Sequence, residues 1–306
     1  MRVVVTGATG LIGTAVVRAL RARGDEVVAL SRDPERARAV LAAGVEAHPW
    51  PDPKQAPPPP AALEGADGVI HLLGEPIAQR WTHDAKREIL DSRVLGTRSL
   101  VTGLRALPED RRPARLVSQS ATGYYGARDG EALDERAPAG DDFLAAVAAA
   151  WEHEAAAIAS EMRVVTARTG VVLAAGGGAL AKMLPAFRLG VGGPVAGGRQ
   201  YVPWIHRDDV VGGLLLCLDD ARAVGPINLT APRPVTNAEL SRALGRVLHR
   251  PAALPVPGPA VRLLYGEMAS TVLTGQRAVP TRLTELGYEF RFADVEAALR
   301  DALSGA

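Results

Sequence analysis

An α/β fold built on a doubly wound parallel sheet is predicted by three features of this 306-residue chain. Short β-branched runs read as buried strands, amphipathic segments at helical spacing separate them, and a glycine-rich turn joins the first strand to the first helix. Residues 2–6, Arg-Val-Val-Val-Thr, form that first strand, apolar on both faces as a buried parallel strand must be. Residues 11–23 follow as a helix, with Leu11, Ala15, Val16, Ala19 and Leu20 on one stripe. Further strands are predicted over 26–30, 68–73, 115–118 and 164–168, with helices over 82–107 and 142–160 between them. Seven prolines in residues 49–60 exclude a strand or helix interior, so an extended surface loop is expected there. After Arg168 the alternation gives way to glycine-rich turns at 176–178 and 190–198 and helix-like segments over 208–218 and 236–248. The expected organisation is a sheet domain over 1–168 and a smaller C-terminal lobe over 169–306, interleaved with the first.

Composition narrows the function. Thirty-five basic residues offset 34 acidic ones for a net charge of +1, with no long run of either sign, so a nucleic-acid partner is not expected. Cys217 is the single cysteine, which rules out an intrachain disulfide, and the six histidines are scattered without metal-ligand spacing, so no metal site is expected. The apolar stretch around Cys217, residues 210–218, is broken by two glycines and falls far short of the roughly 20 residues that span a bilayer. Met1 leads straight into a strand, so neither a signal peptide nor a membrane partner is expected, and a cytoplasmic location suits the reduced cysteine. No lysine-bearing phosphate loop is present, which argues against ATP hydrolysis.

The most informative segment is Gly7-Ala8-Thr9-Gly10-Leu11-Ile12-Gly13, placed after the first strand and opening the first helix. Glycines there permit a tight turn, backbone approach to a pyrophosphate and close packing of helix on strand, while the helix N-terminus holds the phosphates. Thr6, Gly7, Thr9, Gly10, Leu11, Ile12 and Gly13 are therefore expected to bind a nicotinamide dinucleotide in a Rossmann-type fold. The second strand ends Leu30-Ser31-Arg32, with a hydroxyl and a cation where an acid would select NAD(H). Ser31 and Arg32 favour NADP(H) over NAD(H), since Arg32 can pair with a 2′-phosphate. The plainer alternative makes Arg32 a solvated residue before the helix cap Asp33-Pro34.

With these residues the chain resembles an extended short-chain dehydrogenase/reductase of the nucleoside-diphosphate-sugar epimerase type. It looks most like an atypical, uncharacterised epimerase branch sometimes labelled cell-division-inhibitor-like. The resemblance runs nearly end to end, through residues 5–13, Ser118-Gln119-Ser120-Ala121-Thr122-Gly123-Tyr124-Tyr125-Gly126, Trp151-Glu152 and Arg168-Thr169-Gly170. It continues through Gly198-Arg199-Gln200, Trp204-Ile205-His206, residues 228–232 and Gly275-Gln276-Arg277. The resemblance implies that Ser120 is the serine that hydrogen-bonds the reacting group, and that Ser118, Leu72, Leu73, Gly74 and Arg93 bind the cofactor, Arg93 from the helix beside the active site. An ordinary surface arginine is the alternative for Arg93.

The chain departs from the resembled superfamily at its tyrosine–lysine pair. Counted from Ser120, those residues should fall near Phe143 and Val147, which have no proton or charge to offer. Tyr124 or Tyr125 is the expected substitute acid, against the alternative that each packs its ring and ties its hydroxyl to the protein. Lys182, Arg199 and His206 are the expected substrate-binding residues, with a helix cap as the alternative for His206. Two functions follow from different classes. One is an NADP(H)-dependent oxidoreductase or epimerase acting on a small polar, nucleotide-sugar-like substrate, and it is favoured. The other is an NADP(H)-binding protein without turnover that acts as a sensor or partner-binding module. The small-molecule substrate is the one partner expected, and homodimer formation is left open.

Overall fold

The computed structural model describes residues 1–41, 43–128 and 130–304. Seven strands make the main sheet: β1 (Arg2–Thr6), β2 (Glu26–Ser31), β3 (Glu46–Pro49), β4 (Gly68–His71), β5 (Arg115–Ala121), β6 (Arg163–Thr169) and β7 (Gly225–Leu229). Their spatial order is β7-β6-β5-β4-β1-β2-β3, every pair parallel. Strand direction is therefore uniform, and the order reverses between β1 and β4.

The β-branched runs are buried because both faces are covered. Val3, Val5, Val27 and Ala29 pack with Val16, Val17 and Leu20 of α1 (Leu11–Ala22) and with Val210 and Leu214 of a later helix, Arg207–Asp219. Val4, Val28, Leu30 and Val69 pack on the other face beneath α2 (His83–Arg105) and α3 (Phe143–Ala156), through Leu100, Leu104 and Ala155. This odd–even division is the period-2 geometry of a strand sandwiched between helices.

Residues beyond β6 add α4 (Gly178–Arg188), the helix Arg207–Asp219, here α5, and α6 (Asn237–Leu248). A second core of Leu173, Leu184, Trp204, Leu240, Leu244 and Leu299 holds this part together. Position 168 lies inside β6, and β7 crosses back from the C-terminal part to pair with β6. The two parts thus share one sheet. Among the described residues, no helix is long and apolar enough to cross a membrane.

The proline-rich segment departs from its expected form. Pro49 ends β3 opposite Ser31, Trp50 donates its backbone N–H to the Ser31 carbonyl at 2.8 Å, and the indole is buried with Nε1 donating to the Ala56 carbonyl at 2.8 Å. Proline is tolerated because β3 is an edge strand with one side unpaired, and the large apolar gain of burying Trp50 draws the segment inward. β7 escaped the sequence reading for a related reason: it begins Gly225-Pro226, residues that mark turns elsewhere but are allowed at the start of an edge strand.

Candidate active site

The glycine turn lies between β1 and β4, at the carboxyl ends of the strands where the order reverses, the place where open α/β sheets take ligands. Gly7 has φ +64, and a Cβ there would stand 2.6 Å from the Leu72 carbonyl oxygen, so glycine alone lets the chain leave β1 so close to β4. A Cβ on Gly13 would stand 2.2 Å from the Gly7 carbonyl oxygen, which makes Gly13 the seam between helix and turn. Gly10 is exposed, and its Cβ would meet nothing nearer than that same oxygen at 3.2 Å. Its missing side chain leaves room outside the protein rather than within it. Gly10 is also the N-cap of α1, with no capping side chain and no acid in the first turn, so the terminal N–H groups are open to an anion. Thr9 is exposed beside it, Ile12 packs against the core, and Leu11 lies against Gly177 and Gly178, where α4 begins.

Thr6 turns away from this space. Its hydroxyl accepts the Leu72 N–H at 3.1 Å and lies 2.7 Å from His71 Nδ1 in the interior. If the hydroxyl donates to Nδ1, the ring proton sits on Nε2 and reaches the Thr97 hydroxyl at 3.0 Å. Burial pushes the His71 imidazole down to about 3, so it is neutral. The side chain of Thr6 is a tie between β1 and β4, in place of the expected cofactor contact, because a buried imidazole needs the donor more than solvent-facing phosphate does.

At the end of β2, the Ser31 hydroxyl is used locally, donating to the Asp33 carbonyl at 2.9 Å and accepting the Asp33 N–H at 3.1 Å. Asp33 caps the next helix by accepting the Arg36 N–H at 3.0 Å. Arg32 between them is exposed and has no hydrogen bond or ion pair among the described residues. After β4, Leu72 and Leu73 pack to opposite faces of the sheet, while Gly74 is exposed. Lys182 of α4 donates to the Ala78 carbonyl, linking the C-terminal part to the loop after β4.

A polar cluster sits at the ends of β5 and β6. Ser120 donates to Glu152 Oε1 of α3 at 2.6 Å, and Arg168 grips the same carboxylate with Nε and Nη2, both at 2.8 Å. Ser120 and Arg168 are register partners on adjacent strands, which is why one carboxylate can receive both. Burial works against the charge of Arg168, but the hydrogen bonds and charge of Glu152 outweigh it and raise its pKa. Arg168 Nη1 donates to the Tyr125 hydroxyl at 3.1 Å, and that hydroxyl donates to Asn228 Oδ1 at 2.7 Å. Burial, opposed by Arg168, pushes the Tyr125 phenol up to about 12. Tyr124 is half-buried, its ring centroid 3.5 Å from the guanidinium carbon of Arg168, and its hydroxyl has no partner among the described residues.

Comparison with known proteins fits this arrangement. Residues 3–229 match the NAD dependent epimerase/dehydratase family and residues 256–302 a domain of unknown function (DUF1731). The chain belongs to the NAD dependent epimerase/dehydratase family. Its relatives include the chloroplastic SDR39U1 homolog of Arabidopsis thaliana, 40% identical over 98% of this chain and 86% of that protein, and mouse epimerase family protein SDR39U1, 39% identical over 99% and 100%. The crystal structure of human epimerase family protein SDR39U1 (isoform 2) with NADPH superposes with a TM-score of 0.89, at 35% identity over the whole of both chains.

Within this family member, the expected catalytic groups separate. Tyr125 is fully buried and committed to Arg168 and Asn228, so the substitute-acid role expected for it does not fit; a phenol with both neighbours fixed gains more by closing the interior than by facing a ligand. Tyr124 remains open. Ser118 and Ser120 have no exposed surface, and Ser120 is bound to Glu152. Phe143 and Val147 face Trp81, Ile89 and Met268 in an apolar cluster, with the Phe143 ring edge-on to Trp81 at 5.1 Å.

The three expected substrate residues do not converge either. Lys182 is exposed on α4 and reaches the Ala78 carbonyl, Arg199 is exposed beside Gly198, and His206 is only 1% exposed. His206 caps α5 by accepting the Asp208 N–H at Nδ1, 3.2 Å away, with Nε2 3.3 Å from Asp301. Burial lowers its pKa, so the cap, not a ligand contact, is its role. Asp208 and Asp301 beside it are faced by Arg207 and Arg291. What sequence reasoning missed is the Glu152–Arg168–Tyr125–Asn228 chain. Its signal was a charged residue in the otherwise uncharged buried run Val164-Val165-Thr166-Ala167-Arg168, which obliges a carboxylate nearby.

Proposed function

We propose that this chain binds NADP(H) across the carboxyl ends of β1, β2 and β4 and transfers hydride to or from a small polar substrate of the nucleotide-sugar kind. The observation that carries this reading is the pairing of a bare helix N-terminus at Gly10 with the unpartnered Arg32 at the end of β2. The first suits a pyrophosphate and the second a 2′-phosphate, the two anionic points of NADP(H). The human relative crystallised with NADPH supports the same cofactor. The bound group supplies the hydride. Of the chain's own groups, Gly7, Thr9, Gly10, Leu11, Ile12 and Gly13 cradle phosphate, and Leu72, Leu73 and Gly74 form the wall beside it. Tyr124 holds or gives the proton, its ring resting on the Arg168 guanidinium at 3.5 Å. Ser120 positions Glu152, which in turn holds Arg168. Lys182, which reaches the loop after β4, meets substrate charge.

The test is stopped-flow absorbance of protein-bound NADPH against a panel of carbonyl compounds, including nucleotide-linked keto-sugars. Oxidation that falls about 100-fold in Tyr124→Phe and persists in Tyr125→Phe at equal folded fraction supports the assignment. Unchanged turnover in Tyr124→Phe removes Tyr124 from the chemistry. A second reading, an NADP(H)-binding protein without turnover, is favoured by the closed state of Ser120 and the apolar cluster around Phe143 and Val147. NADPH bound tightly but oxidised by no member of the panel would select it.

A further inference from the structure

Arg93 is not the surface arginine that its helix position allows. Its guanidinium lies between the exposed Gly74 and the ring of Trp151 on α3: the guanidinium carbon would be 3.1 Å from a Cβ on Gly74 and is 5.2 Å from the indole centroid. Its one hydrogen bond, from Nη1 to the Ile89 carbonyl at 3.0 Å, uses one of five donors, and no carboxylate pairs with it among the described residues. Glu75 is the nearby acid, and its backbone N–H is held by the Ser92 hydroxyl at 3.1 Å. Burial pushes Arg93 down to about 10 against the charge of Glu75, so it is still a cation at neutral pH. Trp151 Nε1 beside it is buried without an acceptor among the described residues. Donors without acceptors at a cleft wall call for oxygen atoms from outside.

The position of those oxygens follows from the chain. Gly7 would touch Leu72 through a Cβ, and Gly74 is two residues further on, at most about 7 Å of extended backbone. Leu72 meets Gly7 and Gly74 meets Arg93, so the guanidinium lies within reach of a group whose phosphates sit on the glycine turn. We propose that Arg93, seated on Trp151, binds the nicotinamide mononucleotide half of the cofactor through its phosphate and ribose oxygens, supplying the cation that Phe143 and Val147 cannot. Trp151 is the positioning residue, its ring centroid 5.2 Å from the guanidinium carbon. The proposal rests on the NADP(H) reading above, and the two can fail separately.

The experiment compares two ligands by titration calorimetry. NADPH engages both halves of the site, whereas adenosine 2′,5′-bisphosphate engages only the adenine half at β2. In Arg93→Met, which keeps an apolar stem on Trp151, NADPH affinity should fall roughly 10- to 100-fold, the worth of one or two charge-assisted hydrogen bonds, while the bisphosphate binds as in wild type. Arg93→Gln, polar but uncharged, should show the same split, and guards against loss of fold in the methionine variant. NADPH binding that is unchanged in a folded variant overturns the proposal, and so does an equal loss for both ligands, which makes Arg93 structural. Wild-type protein that binds neither ligand defeats the underlying cofactor reading instead.

Discussion

Removing Glu152 tests the polar cluster directly. Glu152→Ala leaves Arg168, a side chain 3% exposed, without its carboxylate, and frees the Ser120 hydroxyl in a closed space. Breaking a buried ion pair from one side costs about 3–5 kcal/mol, because the remaining charge is stranded. Glu152 is itself 13% exposed, so water can replace part of what is lost and the low end, about 3 kcal/mol, applies. A chain of 306 residues unfolds with an entropy of about 0.6 kcal/mol/K near its midpoint, so the expected fall in Tm is about 5 °C. Scanning calorimetry reads this. The companion is the double variant Glu152→Leu with Arg168→Met, which removes both charges and fills the space with apolar atoms. It should melt above the single variant despite carrying one more substitution, since neither charge is left unpaired. A single variant within 1 °C of wild type, or a double variant melting below it, would refute the argument that a stranded cation sets the cost.

Other outcomes follow from the same geometry. NADPH should bind more tightly than NADH by about 2 kcal/mol, and Arg32→Ala should remove most of that preference with NADH binding nearly unchanged; equal affinities in wild type would contradict the role of Arg32. Gly10→Val should fold and lose NADPH binding, whereas Gly13→Val, whose Cβ would stand 2.2 Å from the Gly7 carbonyl oxygen, should lose the fold as well, a contrast that circular dichroism and calorimetry together resolve. His71 is held at about 3 by burial, below its unfolded value of 6.5, so the unfolded chain takes up the proton first. Its contribution is complete above pH 6.5 and is lost as the pH falls toward 3, so urea midpoints should decline over that window and decline less in His71→Asn.

The order of strands and helices was readable where β1, β2 and β4 carry β-branched residues at consecutive positions and a helix follows each. The glycine turn was equally readable, since Gly7 and Gly13 answer to backbone contacts with close neighbours in the fold. Partnership across the sheet was not. Nothing local to Ser120 says that its hydroxyl meets a carboxylate 32 residues later, or that Tyr125 rather than Tyr124 turns inward to Asn228. Both tyrosines occupy one 3-10 turn, and which faces the interior is decided by a strand, β7, that the sequence conceals behind Gly225-Pro226. Thr6 misled for a similar reason: its position beside the turn suits phosphate, but an imidazole from the neighbouring strand competes for the hydroxyl and wins.

The return of β7 to the main sheet governs how this protein can be made. While residues up to the end of β6 are present and β7 is not, β6 stands at the margin of the sheet with its outer N–H and C=O groups unmatched and its apolar side chains, Val165 and Ala167 among them, lacking part of their cover. A nascent chain passes through that state during synthesis, with an intact phosphate turn and an unsealed flank, and the flank is a template for any passing strand until the Ile227 segment emerges and docks. Cutting the gene at position 168 would make that transient state permanent. Expression of the first half alone should therefore yield aggregates, and a soluble dinucleotide-binding fragment would have to carry the Gly225–Leu229 strand with it.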